Sequence, residues 1–265
     1  MKKSSPKYNR IGVDYNNTRK ADPHLTSRMA FHLQLSANKT YLDIGCGTGN
    51  YTKALQSIQG NFVGIDPSEV MLAKAAQVPS EIIWKKGTAE NTGLEHESVA
   101  GILASLTIHH WTNLEAGFME MYRVLKPFSR ILIFTSSPPQ MEGYWLNHYF
   151  PRLMKASIKQ MPTEEKVKIA MEKAGFRVSN TENYFVQKDL TDLFLYCGKD
   201  NPELYFNSQI RKGISSFSDL ANKQEVETGL TKLRADIDEG RVNKVMDSYS
   251  NFKGDYIFIS AIKFQ

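Results

Sequence analysis

Three observations predict a doubly wound α/β fold whose sheet has about seven strands, mostly parallel, with an antiparallel strand last. Short apolar runs alternate with amphipathic ones between Thr40 and Phe134, the pattern of successive βαβ units. A glycine-rich turn, Gly45-Cys46-Gly47-Thr48-Gly49, lies between the first apolar run and the helix expected after it. An acid, Asp66, closes the second run 23 positions after Asp43, where such a fold presents a carboxylate to a ribose diol.

The elements follow in order. Strands are predicted at Tyr41 to Ile44, Phe62 to Ile65, Ile82 to Trp84, Ile102 to Leu106 and Ile131 to Phe134, each flanked by Gly, Asp, Asn or Pro,. Helices fall between them. Pro67 and Ser68 open one, continued by Val70, Met71, Lys74 and Ala75,. Leu114, Phe118, Met121, Tyr122 and Leu125 define another that Pro127 ends,. After Phe134 the alternation stops, and Ser136-Ser137-Pro138-Pro139 leads into an aromatic stretch from Tyr144 to Phe150. The core resumes with a helix from Thr163 to Ala174 closed by Gly175, then a strand near Phe176 to Val186,. A helix with Val226, Leu230, Leu233 and Ile237 on one face, ended by Gly240, precedes a final strand from Tyr256 to Ile262,. The expected organisation is one domain: residues 1–39 as an N-terminal lid, 40–136 as the ligand-binding core, and 137–162 and 187–254 as helical insertions forming a lid.

Composition narrows the function classes. The chain of 265 residues is 41% hydrophobic, enough for a substantial core, and its net charge of +5 comes from 33 basic and 28 acidic residues spread along it,. No basic tract or aromatic stacking pattern points to nucleic acid. Cys46 and Cys197 are the two cysteines, too few and too far apart for a disulfide framework or zinc site, so no metal is expected and a reducing, cytoplasmic setting is. The polar start of the chain and the lack of a long apolar run predict neither a signal peptide nor a membrane span,. Nothing in the sequence specifies an oligomeric state.

The turn is the informative motif. Its spacing is G-x-G-x-G, whereas a dinucleotide-binding turn reads G-x-G-x-x-G and seats a pyrophosphate. Asp43, just before it, would repel a pyrophosphate and attract an ammonium or sulfonium. The alternative for Asp66 is an N-terminal cap on the helix that Pro67 opens.

With these residues in place the sequence resembles the class I S-adenosyl-L-methionine (SAM)-dependent methyltransferases, which are Rossmann-like, in particular the small-molecule group that includes the ubiquinone and menaquinone biosynthesis methyltransferases. The resemblance covers most of Thr40 to Phe134. It implies that the segment from Asp43 through Gly45, Cys46 and Gly47 to Gly49 surrounds the methionine part of SAM, that Asp66 with Pro67 holds the ribose, and that Met71 packs on the adenine or simply fills the core. Gly87-Thr88-Ala89-Glu90 matches the turn after the third strand, with Thr88 where a frequent Asp contacts the adenine amino group. Ser105-Leu106-Thr107-Ile108-His109-His110-Trp111 matches the end of the fourth strand, and Arg123-Val124-Leu125-Lys126-Pro127 the stretch before the fifth. By the same resemblance Tyr15 and Arg19 close over the cofactor, Arg19 pairing with its carboxylate; the alternative is a solvated Arg. Two departures are Ala100, in place of an acid common near the start of the fourth strand, and the absence of N-P-P-Y or P-C after that strand, which argues against base-amino and cytosine-C5 methylation.

The expected activity is methyl transfer from SAM to a small-molecule acceptor. His109 and His110 are the candidate general bases, or a hydrogen-bonded pair that shapes the loop. The aromatic stretch either walls the acceptor pocket or packs a helix onto the core. The competing functions are an RNA or protein methyltransferase and a SAM-binding regulatory protein without turnover.

Overall fold

A computed structural model describes residues 18–265, so Tyr15 lies outside the described residues. The sheet has seven strands: β1 (Thr40–Ile44), β2 (Asn61–Asp66), β3 (Ile83–Lys86), β4 (Val99–Ser105), β5 (Leu125–Thr135), β6 (Arg177–Tyr184) and β7 (Tyr256–Ile262). Their order is β3-β2-β1-β4-β5-β7-β6. The first five are mutually parallel, and β7 runs antiparallel to both neighbours, β5 and β6. The sheet therefore has the predicted doubly wound form, reversing direction of growth at β1, where β2 lies on one side and β4 on the other. Such a reversal leaves a crevice beyond the carboxyl ends of the strands.

Helix α1 (Pro23–Leu33) precedes β1, α2 (Asn50–Ile58) joins β1 to β2, α3 (Glu69–Ala75) joins β2 to β3 and α4 (Leu114–Val124) joins β4 to β5. The first insertion holds α5 (Pro138–Glu142), α6 (Leu146–Tyr149) and α7 (Pro151–Gln160); α8 (Glu164–Lys173) returns the chain to β6. The second holds a 3₁₀ turn at Pro202–Phe206, α9 (Ser208–Gly213), a π-helical turn at Ser216–Leu220, α10 (Lys223–Asp238) and α11 (Val242–Ser248).

Local chemistry explains most boundaries. Asp22 caps α1 by accepting from Leu25 N–H at 2.9 Å, and Thr163 caps α8 through Lys166 N–H at 3.1 Å,. Along the strands alternate residues sort to the two faces. Leu42, Ile102, Ile131 and Ile257 face α4 and α8, while Tyr41, Leu103, Leu132 and Phe258 face α1, α2 and the insertions.

Several predicted boundaries shift. Leu125 is the first residue of β5 and not the last turn of α4, because the chain passes from helix to extended backbone there (φ −77°, ψ 134°) two residues before Pro127. β3 begins one residue after Ile82 and runs to Lys86, paired along its length with β2. Pro67 stands outside α3, whose cap is Ser68. Tyr144, Trp145, Tyr149 and Phe150 pack into the core: Tyr144 stacks on Tyr196 with ring centroids 3.9 Å apart, and Trp145 meets Tyr205 edge-on at 5.6 Å,.

Candidate functional site

The crevice at the carboxyl ends of β1, β2 and β4 is a cavity whose lining includes residues of both insertions. Its floor is the glycine turn. Gly45 and Gly47 adopt φ of +72° and +55°, a left-handed backbone that disfavours side chains,. Their surroundings differ. A Cβ on Gly45 would sit 2.0 Å from Thr107 Oγ1, so this glycine lets the loop after β4 close against β1. A Cβ on Gly47 would meet nothing within 4 Å, because that face of the turn borders the cavity.

Two carboxyls flank the turn. Asp66 is buried, with Oδ2 accepting from Gly47 N–H at 2.9 Å and Oδ1 from Ser68 N–H at 2.8 Å. It thus braces the turn and ties it to Ser68, the residue that caps α3, so Asp66 is not itself the cap that the alternative reading made it. Burial raises its pKa against those two bonds,. Asp43, at the end of β1, accepts from Thr52 Oγ1 of α2 at 2.5 Å. Burial pushes its pKa up to about 7, with the Thr52 bond opposing and the Asp66 charge adding. Cys46 also lines the cavity, but burial first, then Asp43 and Asp66, hold its thiol far above the usual range, so it is no nucleophile,.

The β4 end supplies the opposite wall. Leu106 takes a left-handed φ of 51°, held by its N–H donating to Phe134 O at 2.8 Å. That turn directs Thr107 toward Gly45 and places His109 and His110 on a 3₁₀ turn with ring centroids 3.9 Å apart. Strained backbone of this kind clusters at functional sites. Both histidines line the cavity, as do Ser105, Pro67 and the buried Met71.

Arg19 lines the cavity as well, as a paired residue and not a solvated one. Its Nε and Nη2 donate to Asp192 Oδ1 and Oδ2 at 2.5 and 3.2 Å. Thr88, Ala89 and Glu90 lie away from the cavity: Thr88 pairs with Asn91 in a tight bridge, Ala89 is buried in the core, and Glu90 accepts from Asn113 N–H at 3.0 Å. The turn after β3 closes on itself and on α4's cap, and its three residues are not part of the cavity lining.

Sequence reasoning missed Tyr51, Thr107 and Asp192 on the cofactor side, and reached Thr48 only as part of the segment that ends at Gly49. It also missed the far end of the cavity, where Met141, Met161, Phe194, Tyr196, Ile214 and Tyr256 are prominent. Tyr51, two residues after the motif, was within reach of it. Asp192 and, apart from Tyr256 of β7, the far end come from the insertions, which carry no periodic signal pointing at the crevice. Among the described residues no cluster of three or more His, Cys, Asp or Glu has metal-binding geometry, and no helix is long and apolar enough to cross a membrane.

Comparison with known proteins agrees with this geometry. Residues 42–133 match the family described as a methyltransferase domain. A structure from Anabaena variabilis, described as a methyltransferase of an antibiotic biosynthesis pathway, superposes with a TM-score of 0.83 at 34% identity, covering 92% of this chain and 98% of its own. The chain belongs to this methyltransferase family. It is 30% identical to the demethylmenaquinone methyltransferase of Desulfitobacterium hafniense over 60% of its own length and 65% of that protein's. To the ubiquinone/menaquinone biosynthesis C-methyltransferase of Rubrivivax gelatinosus it is 29% identical over 43% of this chain and 45% of the relative. The chain thus spans less than two thirds of these curated relatives.

Proposed function

We propose that the protein transfers a methyl group from SAM to an uncharged small-molecule acceptor. The observation that carries this is the division of one cavity into a polar and an apolar end. Asp43, Asp66, Arg19 and Asp192 gather around the glycine turn, whereas the end built by the insertions is lined by Met141, Met161, Phe194 and Ile214 with interspersed serines.

The residues present fit the cofactor. Gly47 leaves open the space that a side chain would fill. Thr48 Oγ1 is buried against the cavity without a hydrogen-bond partner among the described residues, an arrangement that a polar ligand would satisfy. Asp66 would hold the ribose, Asp43 and the turn's backbone the methionine part, and Met71 the adenine. When bound, the cofactor supplies a methyl group on a sulfonium already activated for displacement.

The protein's tasks are then alignment and exclusion of water. The roof from α7 and the π-helical turn covers the far end, and Tyr196 and Tyr256, both buried, narrow it. His109 and His110, which line the cavity, would take up the proton leaving a hydroxyl acceptor; an amine or carbon acceptor would need positioning alone,. Quinone precursors such as those named for the relatives suit an apolar end with few polar groups. A reducing, cytoplasmic setting suits the two free cysteines,.

The test is calorimetric titration with SAM, S-adenosylhomocysteine, NAD and ATP, with Asp66→Ala as control, followed by an acceptor screen scored by S-adenosylhomocysteine formation. Binding of the two adenosyl sulfur compounds alone, lost in the variant, supports the reading. Preference for NAD or ATP overturns it, and cofactor binding without product across the screen would favour a regulatory binder.

A further inference from the structure

The hydroxyls at the apolar end of the cavity divide into those spent on backbone carbonyls and those left over. Ser157 Oγ donates to Leu153 O at 2.9 Å, Ser136 Oγ to Asp255 O at 2.9 Å, and the Tyr196 hydroxyl to Gln140 O at 3.1 Å. The side-chain hydroxyls of Tyr256, Ser215 and Ser216 make no hydrogen bond among the described residues. Tyr256 stands apart from the two serines because it is only 3% exposed. Its hydroxyl is nevertheless not sealed in the core: it keeps accessible surface, and the residue lines the cavity.

Tyr256 is the first residue of β7, and three rings fix its own. Phe134 stacks on it with centroids 5.2 Å apart, Phe194 meets it edge-on at 4.9 Å, and Tyr196 lies at 5.0 Å. Gln140 Nε2 holds its carbonyl with a 2.8 Å hydrogen bond. A ring held in this way presents its hydroxyl at one point, whereas a serine hydroxyl turns about its single bond. Phe194, which touches Tyr256, also carries the Arg19 guanidinium 6.0 Å from its ring centre, so Tyr256 stands where the polar end of the cavity gives way to the apolar one. Burial first, then the neighbouring Tyr196 and Asp255, push its pKa well above the ordinary tyrosine value,. The phenol therefore keeps its proton and is a hydrogen-bond donor, not a base. A buried hydroxyl without a partner is costly, and phenylalanine would fill the same ring space without that cost.

We infer that Tyr256 is an acceptor-binding residue whose hydroxyl donates a hydrogen bond to a carbonyl or ether oxygen of the methyl acceptor. A hydrocarbon against this wall leaves the hydroxyl unpaired in an enclosed site, whereas an oxygen atom there pairs it, so the apolar end discriminates by one oxygen among molecules of similar shape. Flat apolar molecules suit the surrounding Phe194, Tyr196, Met141 and Met161,. The inference rests on the proposed methyl transfer to an uncharged acceptor and adds to it a specificity-determining residue and a chemical feature of the substrate.

The experiment is NMR titration of the full chain and of Tyr256→Phe, each saturated with S-adenosylhomocysteine, with 1-tetralone and with tetralin. These two fused-ring probes are similar in shape and differ by one carbonyl oxygen. Tyr256→Phe should weaken 1-tetralone binding about tenfold while leaving tetralin and S-adenosylhomocysteine within about twofold, which also reports that the variant is folded. Equal losses for the two probes mark the ring as structural, no loss for 1-tetralone marks the hydroxyl as idle, and weakened S-adenosylhomocysteine binding marks Tyr256 as a contact of the cofactor; each of these overturns the inference. If the wild-type protein binds S-adenosylhomocysteine but neither probe, the inference fails together with the acceptor half of the proposed function. If it does not bind S-adenosylhomocysteine, the cofactor reading itself fails.

Discussion

Thr52 on α2 donates a 2.5 Å hydrogen bond to Asp43 at the end of β1, and among the described residues this is the one side-chain hydrogen bond at a carboxyl that is 3% exposed. A single donor does not offset that loss of hydration, which is why the group titrates near 7,.

Stability should depend on pH accordingly. The folded protein holds the Asp43 proton up to about 7, whereas the unfolded chain releases it near 3.8. The favourable contribution is therefore complete below about pH 4 and is lost as pH rises to about 7, on the order of 4 kcal/mol in all. Asp43→Asn should melt higher than the wild type at pH 8, with the difference vanishing at pH 4. Equal melting temperatures at pH 8 would contradict this assignment.

Ligand binding should carry a proton signature. A bound cation favours the ionised form of Asp43, so binding of SAM at pH 6.5 should release protons. Titrations in buffers of different ionisation enthalpy should then give different apparent heats, and Asp43→Asn should remove most of the difference while weakening binding about tenfold or more.

The two glycines should separate folding from binding. Gly45→Ala drives a methyl into Thr107 at 2.0 Å and should cost about 2 to 4 kcal/mol in denaturant melts,. Gly47→Ala, with nothing within 4 Å, should cost only about 1 kcal/mol for its positive φ but weaken S-adenosylhomocysteine binding strongly,. Parallel losses in both variants would mean that the face at Gly47 is not a ligand surface.

A structural staple lies far from the cavity. Lys263, 2% exposed, donates to Glu97 Oε1, Tyr122 O and Leu125 O at 3.0, 3.0 and 2.8 Å. Lys263→Met should lower stability by about 2 to 4 kcal/mol by leaving those acceptors without a partner. Cofactor affinity, measured below the melting transition, should stay unchanged.

If the acceptor is a hydroxyl compound, His110→Ala should lower turnover about a hundredfold with little change in S-adenosylhomocysteine affinity. Retention of full turnover on such an acceptor would leave both histidines a loop-shaping role.

Legibility followed the range of the interactions. β7 spans Tyr256–Ile262, the residues expected for the final strand, and α8 begins after Thr163 and ends before Gly175, because apolar runs and helix caps are local signals. Leu125 misled because its spacing continues the apolar face of α4, yet its backbone already belongs to β5. The glycine turn and Asp66 were legible for the same local reason. Asp192 was not, since only tertiary folding brings it to Arg19, and the local match at Thr88 to Glu90 does not by itself place that turn in the cavity lining.

The position of β7 has a consequence for biosynthesis. Among the described residues β6 pairs only with β7, and β5 has one side unpaired until β7 arrives between them. While the protein is being translated, the half of the sheet from β3 to β5 can assemble as it emerges from the ribosome. β5 and β6 meanwhile wait with open edges through the synthesis of the entire second insertion. That interval, when a bare strand edge is available to any other chain, is the point at which a chaperone would have most to do.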